Sequence, residues 1–202
     1  MERSEKWRLF VAFALPESVK TALEAVQAEL ASAVSRESVR WTRPDQLHLT
    51  LKFLGNVEPN LVPALTEAVA RVCHGFQPLR LRVQGIGFFP SIGPPRVAWA
   101  GADDANGNLT ELQAALEMAV GDFTHERSEG SFTGHITLGR IRKLHRSQVA
   151  SVFDTAERMQ KRFFGEWTAD GIELIRSEPT STGSSHSTIA VVGFANGSES
   201  FA

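Results

Sequence analysis

The sequence has no tyrosine and a single cysteine, Cys73, among its 202 residues. One cysteine cannot form an internal disulfide or supply a zinc site built on several thiolates, and it suits a reducing compartment. Cys73 lies in a helical pattern, where we expect a small buried side chain and not a nucleophile. No apolar run approaches the roughly 20 residues of a membrane span, and the charged first residues lack the apolar core of a signal peptide. These absences predict a cytoplasmic protein without a membrane segment.

An excess of charge of one sign is also missing. The 21 Lys and Arg residues and the 23 Asp and Glu residues leave a formal net charge of −2. Such a balance argues against a broad surface that coats nucleic acid, so any basic character has to be local. The 42% hydrophobic and 22% charged residues are typical of a globular protein long enough to bury a core. We therefore expect the partner to be a small molecule, or only the end of a larger one.

What the sequence does contain is a short motif that occurs twice. Residues 46–52 read Gln-Leu-His-Leu-Thr-Leu-Lys, and residues 132–140 read Phe-Thr-Gly-His-Ile-Thr-Leu-Gly-Arg. Both contain His-x-Thr-Leu, in which apolar residues alternate with polar ones as they do in a half-buried strand. The alternation predicts that His48, Thr50 and Lys52 share one strand face. His135 and Thr137 are expected to share a face in the same way.

The two histidines lie 87 positions apart, and other segments repeat at the same offset. Shifted by 87 positions, the strand-like residues 9–13 coincide with the strand-like residues 96–100, and each of these runs is followed by a helical pattern. The same shift relates residues 81–88 to residues 168–175. Several segments that share one offset indicate an internal duplication. We therefore predict two related lobes, each contributing one His-x-Thr strand, with the two motifs facing each other across a cleft.

A third His-x-Thr, at residues 186–188, lies outside this offset. It follows the Ser- and Gly-rich residues 181–185, so we interpret it as the place where a loop meets a strand. Residues 164–176 and 187–194 are predicted as the last strand pair, joined by a loop over 177–186. Trp41 precedes the first motif and could stack on a base, but a tryptophan beside a sheet is more often part of the core. The sequence leaves the roles of His186 and Trp41 open.

Two imidazoles and two hydroxyls around one cleft suit in-line displacement at phosphorus. One neutral histidine takes a proton from the attacking water, and one protonated histidine gives a proton to the leaving oxygen. The threonines and a cation would hold the non-bridging oxygens. Lys52, by strand parity, and Arg140, just past the second motif, are the candidate cations. This chemistry requires neither a metal nor another cofactor.

At these residues the sequence resembles the two-histidine (2H) phosphoesterases. The resemblance is strongest to their RNA 2′,3′-cyclic phosphodiesterase branch, historically called 2′-5′ RNA ligases. It extends over residues 8–12, 47–55 and 135–140, and Leu-Lys-Phe-Leu-Gly after the first motif is typical of this branch. It implies a bilobal α+β fold, with antiparallel sheets facing a central cleft and helices on the outside. Residues 1–202 would form a single domain of two pseudo-symmetric, interleaved lobes.

The resemblance also implies an activity: metal-free opening of a 2′,3′-cyclic phosphate on an RNA end or a nucleotide to a 2′-phosphomonoester, with 2′-5′ RNA ligation as a further expectation. No membrane and no obligate protein partner are expected. The family roles carry over to His48 and His135 as the acid/base pair, Thr50 and Thr137 as phosphate ligands, and Arg140 as the basic residue after the second motif. Within the pair, His135 would be the base for water and His48 the acid for the leaving 3′ oxygen.

Two departures and two alternatives accompany the resemblance. Relatives usually have proline where this chain has Gly134, which would loosen the start of the second strand. They also commonly carry a tyrosine in the last hairpin, near the position of His186.

One alternative is a module that binds nucleotide or RNA-end phosphate without turnover, although such a module would not need both histidines. The other is a metal-dependent hydrolase that uses the histidines as ligands, but no helical His pair and no accompanying carboxylate motif support it.

Overall fold

The computed structural model describes residues 5–127, 130–181 and 183–195. Within them, nine strands form one curled antiparallel sheet, and four α-helices complete an α+β fold. The strands are β1 Trp7–Ala14, β2 Val39–Trp41, β3 His48–Val57, β4 Leu79–Phe89, β5 Val97–Asp104, β6 His135–Ile141, β7 Phe163–Ala169, β8 Gly171–Thr180 and β9 Gly183–Gly193. The helices are α1 Glu17–Ala31, α2 Val62–Cys73, α3 Asn108–Ala119 and α4 Arg146–Arg158. The predicted fold class is confirmed. None of the helices in this part of the chain is long and apolar enough to cross a bilayer.

The strand order reflects the repeat seen in the sequence. The strands run β7-β4-β5-β6-β3-β1-β8-β9, and β2 pairs with β6 beside the central strands. The two motif strands, β6 and β3, lie at the centre, flanked by β5 and β1. Outside these lie β4 on one side and β8 with β9 on the other. One half of the sheet therefore includes β4 from the first half of the sequence, and the other half includes β8 and β9 from the second. That residues 1–202 form one domain of interleaved lobes stays a prediction.

The main core lies between the sheet and the helices, and the apolar faces of the helices build much of it. Helix α1 buries Val19, Leu23, Val26 and Leu30 completely or nearly so, as its 3.6-residue period requires. Each fully buried aliphatic side chain of this kind contributes about 1.5–3 kcal/mol. Helix α3 buries the leucines at 109, 112 and 116 in the same way, and the Asp104 carboxylate accepts hydrogen bonds from three backbone N–H groups at its start. The carboxylate therefore caps this helix.

The other face of the sheet has a much smaller apolar cluster. Phe10, Ala12 and Ile175 are buried there, separately from the main core. The first two belong to β1 and the third to β8, and in the sheet Phe10 lies opposite Ile175. Phe10 of this cluster also lines the cleft that the motif side chains line.

The last strands differ from the sequence prediction. Residues 164–176 form two strands, separated at Asp170: β7 pairs with β4 at one edge of the sheet, whereas β8 pairs with β1 and β9. The predicted loop over 177–186 is wrong, because most of these residues continue a hairpin between β8 and β9. Its polar composition follows from its position, since a hairpin that extends beyond the core buries few side chains while its backbone groups still pair.

Candidate active site

The two motif strands bring four predicted side chains to one cleft. Leu49 of β3 lies opposite Ile136 of β6 in an antiparallel pair. His48 is therefore beside Thr137, and Thr50 is beside His135. All four residues line a cleft of about 520 Å³. Each histidine thus neighbours the threonine of the other copy of the motif.

Both imidazole rings are oriented by the same local hydrogen bond. His48 Nδ1 is 2.7 Å from the carbonyl oxygen of Gln46, and His135 Nδ1 is 2.8 Å from that of Thr133. A carbonyl oxygen can only accept, so Nδ1 carries the proton in both rings. This leaves Nε2 of each ring as the nitrogen that can exchange a proton with a ligand.

A β-bulge follows the threonine in each motif, and it decides which later residues reach the cleft. On β3, Lys52 lies opposite Val11 and Thr50 opposite Ala12, so Leu51 is the extra residue. On β6, Leu138 is the extra residue between the partners of Ala98 and Trp99. The two bulges are at equivalent positions of the repeat. At each bulge two consecutive residues face the core, and the residue after them faces the cleft.

Because of the bulge, the prediction that Lys52 shares one strand face with His48 and Thr50 is wrong. Lys52 lies on the core face of β3 and is only 3% exposed. Its Nζ donates to Glu117 Oε1 of α3 at 2.6 Å and to the carbonyl oxygen of Glu126 at 2.6 Å. Strict alternation along the strand does not reveal an inserted residue. Lys52 is therefore withdrawn as a candidate phosphate ligand and joins β3 to the α3–β6 connection instead.

Arg140 lies in the cleft, as the sequence predicted. It faces the cleft because the bulge at Leu138 shifts the alternation along β6 by one residue. Its side chain is exposed, and it makes no hydrogen bond or ion pair within residues 5–127, 130–181 and 183–195. The equivalent residue of the first motif is Phe53, which also lines the cleft and is 50% exposed. The sequence interpretation missed Phe53, although the 87-residue offset from Arg140 could have identified it.

Two further arginines and a third histidine complete a strongly basic cleft. Arg8, Arg40 and His186 line it together with the residues above, and none of its lining residues in the described part of the chain is an aspartate or a glutamate. This concentration of arginine and histidine occurs in a protein with a net charge of −2. The site therefore favours an anionic ligand.

His186 reaches the cleft because the β8–β9 hairpin leans toward the first motif. The Gln46 side-chain amide donates to the carbonyl oxygen of Ser184, next to the hairpin turn. The His186 ring lies edge-on, with its centroid 5.4 Å from that of His48 and 5.1 Å from that of Phe10. The interpretation of this third His-x-Thr as a loop meeting a strand is therefore wrong.

Trp41 and Gly134 have structural surroundings that the sequence left open. Trp41 borders the cleft and packs against the main core, in agreement with the expected core role. Gly134 does not loosen the start of β6: its carbonyl accepts from the Ala102 N–H at 2.9 Å, and a Cβ here would collide with the Ala102 carbonyl oxygen. Close backbone approach at this point therefore requires glycine.

The surroundings of His48 make its charged form unfavourable. The pKa of His48 is lowered to about 4, mainly by burial. The bond to the Gln46 carbonyl opposes this shift, whereas the nearby His186 and His135 contribute to it. The Phe10 ring, with its centroid 4.7 Å from that of His48, contributes to this enclosure. His48 is therefore neutral near pH 7 while the cleft holds no anion. A phosphate placed beside the ring would favour its protonated form.

A metal-ligand set is not found beside these side chains. Among the described residues, no group of three or more His, Cys, Asp and Glu side chains could hold a metal ion. The metal-hydrolase alternative thus has no support from the residues around the cleft.

Several known proteins are similar to this chain. The family model described as LigT like Phosphoesterase matches residues 13–99. An RNA 2′,3′-cyclic phosphodiesterase of Archaeoglobus fulgidus is 31% identical over 176 residues, covering 87% of this chain and 94% of the relative. One from Thermus thermophilus is 34% identical over 178 residues, covering 85% and 82%.

Solved structures show the same architecture. The crystal structure of TT0787 from Thermus thermophilus has a TM-score of 0.77 and 29% identity, over 95% of this chain and 100% of that one. E. coli LigT complexed with 3′-AMP has a TM-score of 0.72 at 22% identity, over 94% and 99%, and this likeness concerns the fold alone. With a shared fold, a duplicated His-x-Thr cleft and relatives above 30% identity along most of its length, this chain belongs to the LigT-like branch of the two-histidine phosphoesterases.

Proposed function

We propose that the protein is an RNA 2′,3′-cyclic phosphodiesterase, which opens a 2′,3′-cyclic phosphate end to a 2′-phosphomonoester. In the reaction, a water oxygen attacks phosphorus and the bond from phosphorus to the 3′ oxygen breaks. One histidine accepts the proton that the water loses, and the other donates a proton to the departing 3′ oxygen. The names of the relatives, at 31% and 34% identity, support this activity.

The observation that carries the proposal is the basic cleft around the two oriented imidazoles. His48 and His135 each fix Nδ1 on a carbonyl, so both present Nε2 for proton transfer. A cyclic phosphodiester is a monoanion, and the lining residues supply arginines without a competing carboxylate. These features suit a reaction in which negative charge grows on the phosphoryl oxygens.

Thr50, Thr137 and Arg140 are proposed to hold those oxygens. Each threonine lies beside the histidine of the other motif, so its hydroxyl can donate to an oxygen of the same phosphate that the ring approaches. Arg140 has no ion-pair partner in the described part of the chain, so its guanidinium is available for a phosphate. A planar guanidinium can bind two phosphate oxygens at once, which fixes orientation as well as charge.

The low pKa of His48 has a consequence for its proposed role as the acid. An acid must be protonated before it acts, yet burial lowers the pKa of His48 to about 4. We propose that the substrate anion raises this pKa, so that His48 takes up a proton as the substrate binds. His135 would then be the base. Titration calorimetry of a bound nucleotide 2′-phosphate in buffers of different ionisation enthalpy should detect the proton uptake.

The decisive experiment is turnover of the four nucleoside 2′,3′-cyclic monophosphates in EDTA, with the product identified by phosphorus NMR. We expect a 2′-phosphomonoester as the sole product. Binding without turnover would favour the phosphate-binding module. Activity that disappears in EDTA and returns with zinc or manganese would favour the metal-dependent hydrolase. The ligase direction, the cytoplasmic location and the absence of an obligate protein partner stay predictions.

A further inference from the structure

We propose that Arg8 and Phe53 form a subsite for the nucleotide upstream of the cyclic phosphate. Arg8 would bind the phosphodiester on the 5′ side of the terminal nucleotide, and Phe53 would stack on the upstream base. The protein would therefore prefer an oligonucleotide end to a cyclic mononucleotide. This inference rests on the proposed function and specifies its substrate.

Arg8 is a cation in the cleft that the hydrolytic step leaves without a role. It is exposed, lines the cleft, and has no hydrogen bond or ion pair within the described ranges. Arg176, which lies opposite the adjacent Leu9, does have a carboxylate partner: it pairs with Glu178 at 2.9 Å. The guanidinium of Arg8 is therefore available to an external anion.

Strand register places Arg8 and Arg140 at opposite ends of the cleft. On β1, Ala12 lies opposite Thr50, Phe10 opposite Phe53 and Arg8 opposite Asn56. Arg8 is thus four residues from the level of Thr50, about 13 Å along the strand. Arg140 follows Thr137 on the antiparallel strand β6 and continues in the other direction, past His48. The two arginines lie on either side of the histidines and threonines.

The chemistry of the substrate identifies the second anion. A 2′,3′-cyclic phosphate is the end of an RNA chain, so any further phosphate lies on the 5′ side of the terminal nucleotide. Arg140 and the two threonines are already assigned to the cyclic phosphate. A nucleotide step together with an extended arginine side chain spans the distance to Arg8.

Phe53 offers a surface for the base attached to that upstream step. It lies in the cleft between Thr50 and the level of Arg8, half exposed, with its centroid 5.9 Å from that of the buried Phe10. The Phe10 contact fixes one side of the Phe53 ring, while the exposed part can contact a base. Single-stranded nucleic acids are commonly bound by such aromatic rings together with arginine, with little preference for the base.

Three substrates test the inference: a cyclic mononucleotide, a dinucleotide with the same cyclic end, and that dinucleotide with a neutral methylphosphonate linkage. For the wild type, we expect kcat/KM for the natural dinucleotide to be about tenfold higher than for the methylphosphonate, because an arginine–phosphate bond is charge-assisted. It should be about fiftyfold higher than for the mononucleotide, which also lacks the base that stacks on Phe53. Arg8→Ala should lower kcat/KM for the natural dinucleotide about tenfold more than for the methylphosphonate. Phe53→Leu should lower it for both dinucleotides about fivefold more than for the mononucleotide.

Arg71→Ala is the matched control, because Arg71 is exposed on α2 and does not line the cleft. It removes the same charge and should leave the ratio between the dinucleotides as it is in the wild type. Equal rates of the wild type on all three substrates would overturn the inference without affecting the proposed function, and so would equal losses on both dinucleotides in Arg8→Ala. Turnover of none of the substrates by the wild type would instead contradict the proposed function.

Discussion

The two motif strands have the same backbone design but different surroundings. In each, the histidine binds a carbonyl two residues earlier, the threonine follows two residues later, and a bulge comes next. His48, however, is enclosed by the rings of Phe10 and His186, whereas His135 lies beside Phe89 and Trp99, with ring centroids 5.0 and 6.3 Å away. The His186 ring comes from the β8–β9 hairpin that leans over the first motif, whereas both rings beside His135 come from the β4–β5 hairpin.

The residues after the two bulges show how the copies have diverged. The core-facing position is Lys52 in the first copy and Gly139 in the second, and the cleft-facing position is Phe53 in the first and Arg140 in the second. The duplication supplies one histidine and one threonine hydroxyl from each side. The divergence gives the cleft a charged end at Arg140 and an aromatic surface at Phe53. A symmetric scaffold thereby acquires two distinguishable ends, which a directional substrate requires.

The most severe test of the comparison is to remove each histidine in turn. His48→Ala and His135→Ala should each lower kcat/KM by about 10² to 10⁴-fold, the usual contribution of a positioned proton-transfer group. The double variant should lose much less than the product of the two losses if the histidines act together. Steady-state kinetics with a cyclic nucleotide measures all three. Full activity in either single variant would rule out the two-histidine mechanism.

A substrate with a better leaving group at the 3′ position separates the two roles. Such a group needs little protonation, so it should rescue His48→Ala and not His135→Ala. Rescue of the His135 variant alone would reverse the assignment of acid and base.

The two cleft-facing residues after the bulges should differ in what they contribute. Arg140→Ala should lower kcat/KM for a cyclic mononucleotide by roughly 10²-fold, by analogy with the loss of a donor to a growing negative charge. Phe53→Leu should have a much smaller effect on this substrate, because Phe53 carries no charge. Arg140→Lys should recover only part of the loss, since lysine cannot bind two oxygens in a fixed fork. If Arg140→Ala lowered kcat/KM no more than Arg71→Ala does, Arg140 would not bind the phosphate and would be an ordinary surface arginine.

The enclosure of His48 predicts how stability depends on pH. The pKa of this ring is lowered to about 4 in the folded protein, whereas it is about 6.5 in an unfolded chain. Between these values the unfolded chain binds a proton that the folded protein does not. The contribution of His48 is therefore fully present above pH 6.5 and is lost as the pH falls toward 4, by roughly 3 kcal/mol.

Urea unfolding at pH 7.5 and pH 4.5 measures this loss, and His48→Gln should show a smaller difference than the wild type. His125→Gln, in the connection before β6, is the control and should resemble the wild type. An unchanged pH dependence in His48→Gln would mean that His48 titrates normally in the folded protein.

The core-facing residues after the bulges should affect stability more than activity. Lys52→Met should reduce the free energy of unfolding by about 2 kcal/mol, because it removes the buried ammonium that pairs with Glu117 and donates to the Glu126 carbonyl. The double variant with Glu117→Leu should recover part of this. In the other copy, Gly139→Ala should cost about 1–2 kcal/mol, since a Cβ would lie 2.8 Å from Val39 Cγ1 and 2.9 Å from Trp41 Cε3.

Lys20→Met provides a control for Lys52→Met, because the Lys20–Glu17 pair is a surface pair at 3.7 Å and should contribute less than about 1 kcal/mol. Chemical unfolding and kcat/KM should be measured on the same preparations. A hundredfold loss of kcat/KM in Lys52→Met with wild-type stability would restore the substrate-binding role that the sequence suggested.

The parts of the fold that follow local periodicity could be predicted from the sequence. The buried faces of α1 and α3 and the hairpin of β4 with β5 are of this kind, because each depends on a repeating apolar pattern or on turn residues. The inner part of the β8–β9 hairpin, where 171–176 pair with 187–193, was also predicted, whereas its outer part over 177–186 was missed because its polar residues carry no such pattern. Its strands exist because backbone groups pair across the hairpin, and that pairing is invisible in composition.

By itself, the sequence determined the duplication, the α+β class, and the positions of His48, His135 and the two threonines on strands that face a cleft, with Arg140 nearby. The offset of 87 residues between the two copies of the motif can be read directly from the sequence. Only the tertiary structure decided that Lys52 faces the core and Phe53 the cleft, because a bulge shifts strand parity by one residue without leaving a signal in the alternation. It alone also placed Arg8, Arg40 and His186 in the same cleft, because these residues are distant in sequence and meet only when the sheet curls.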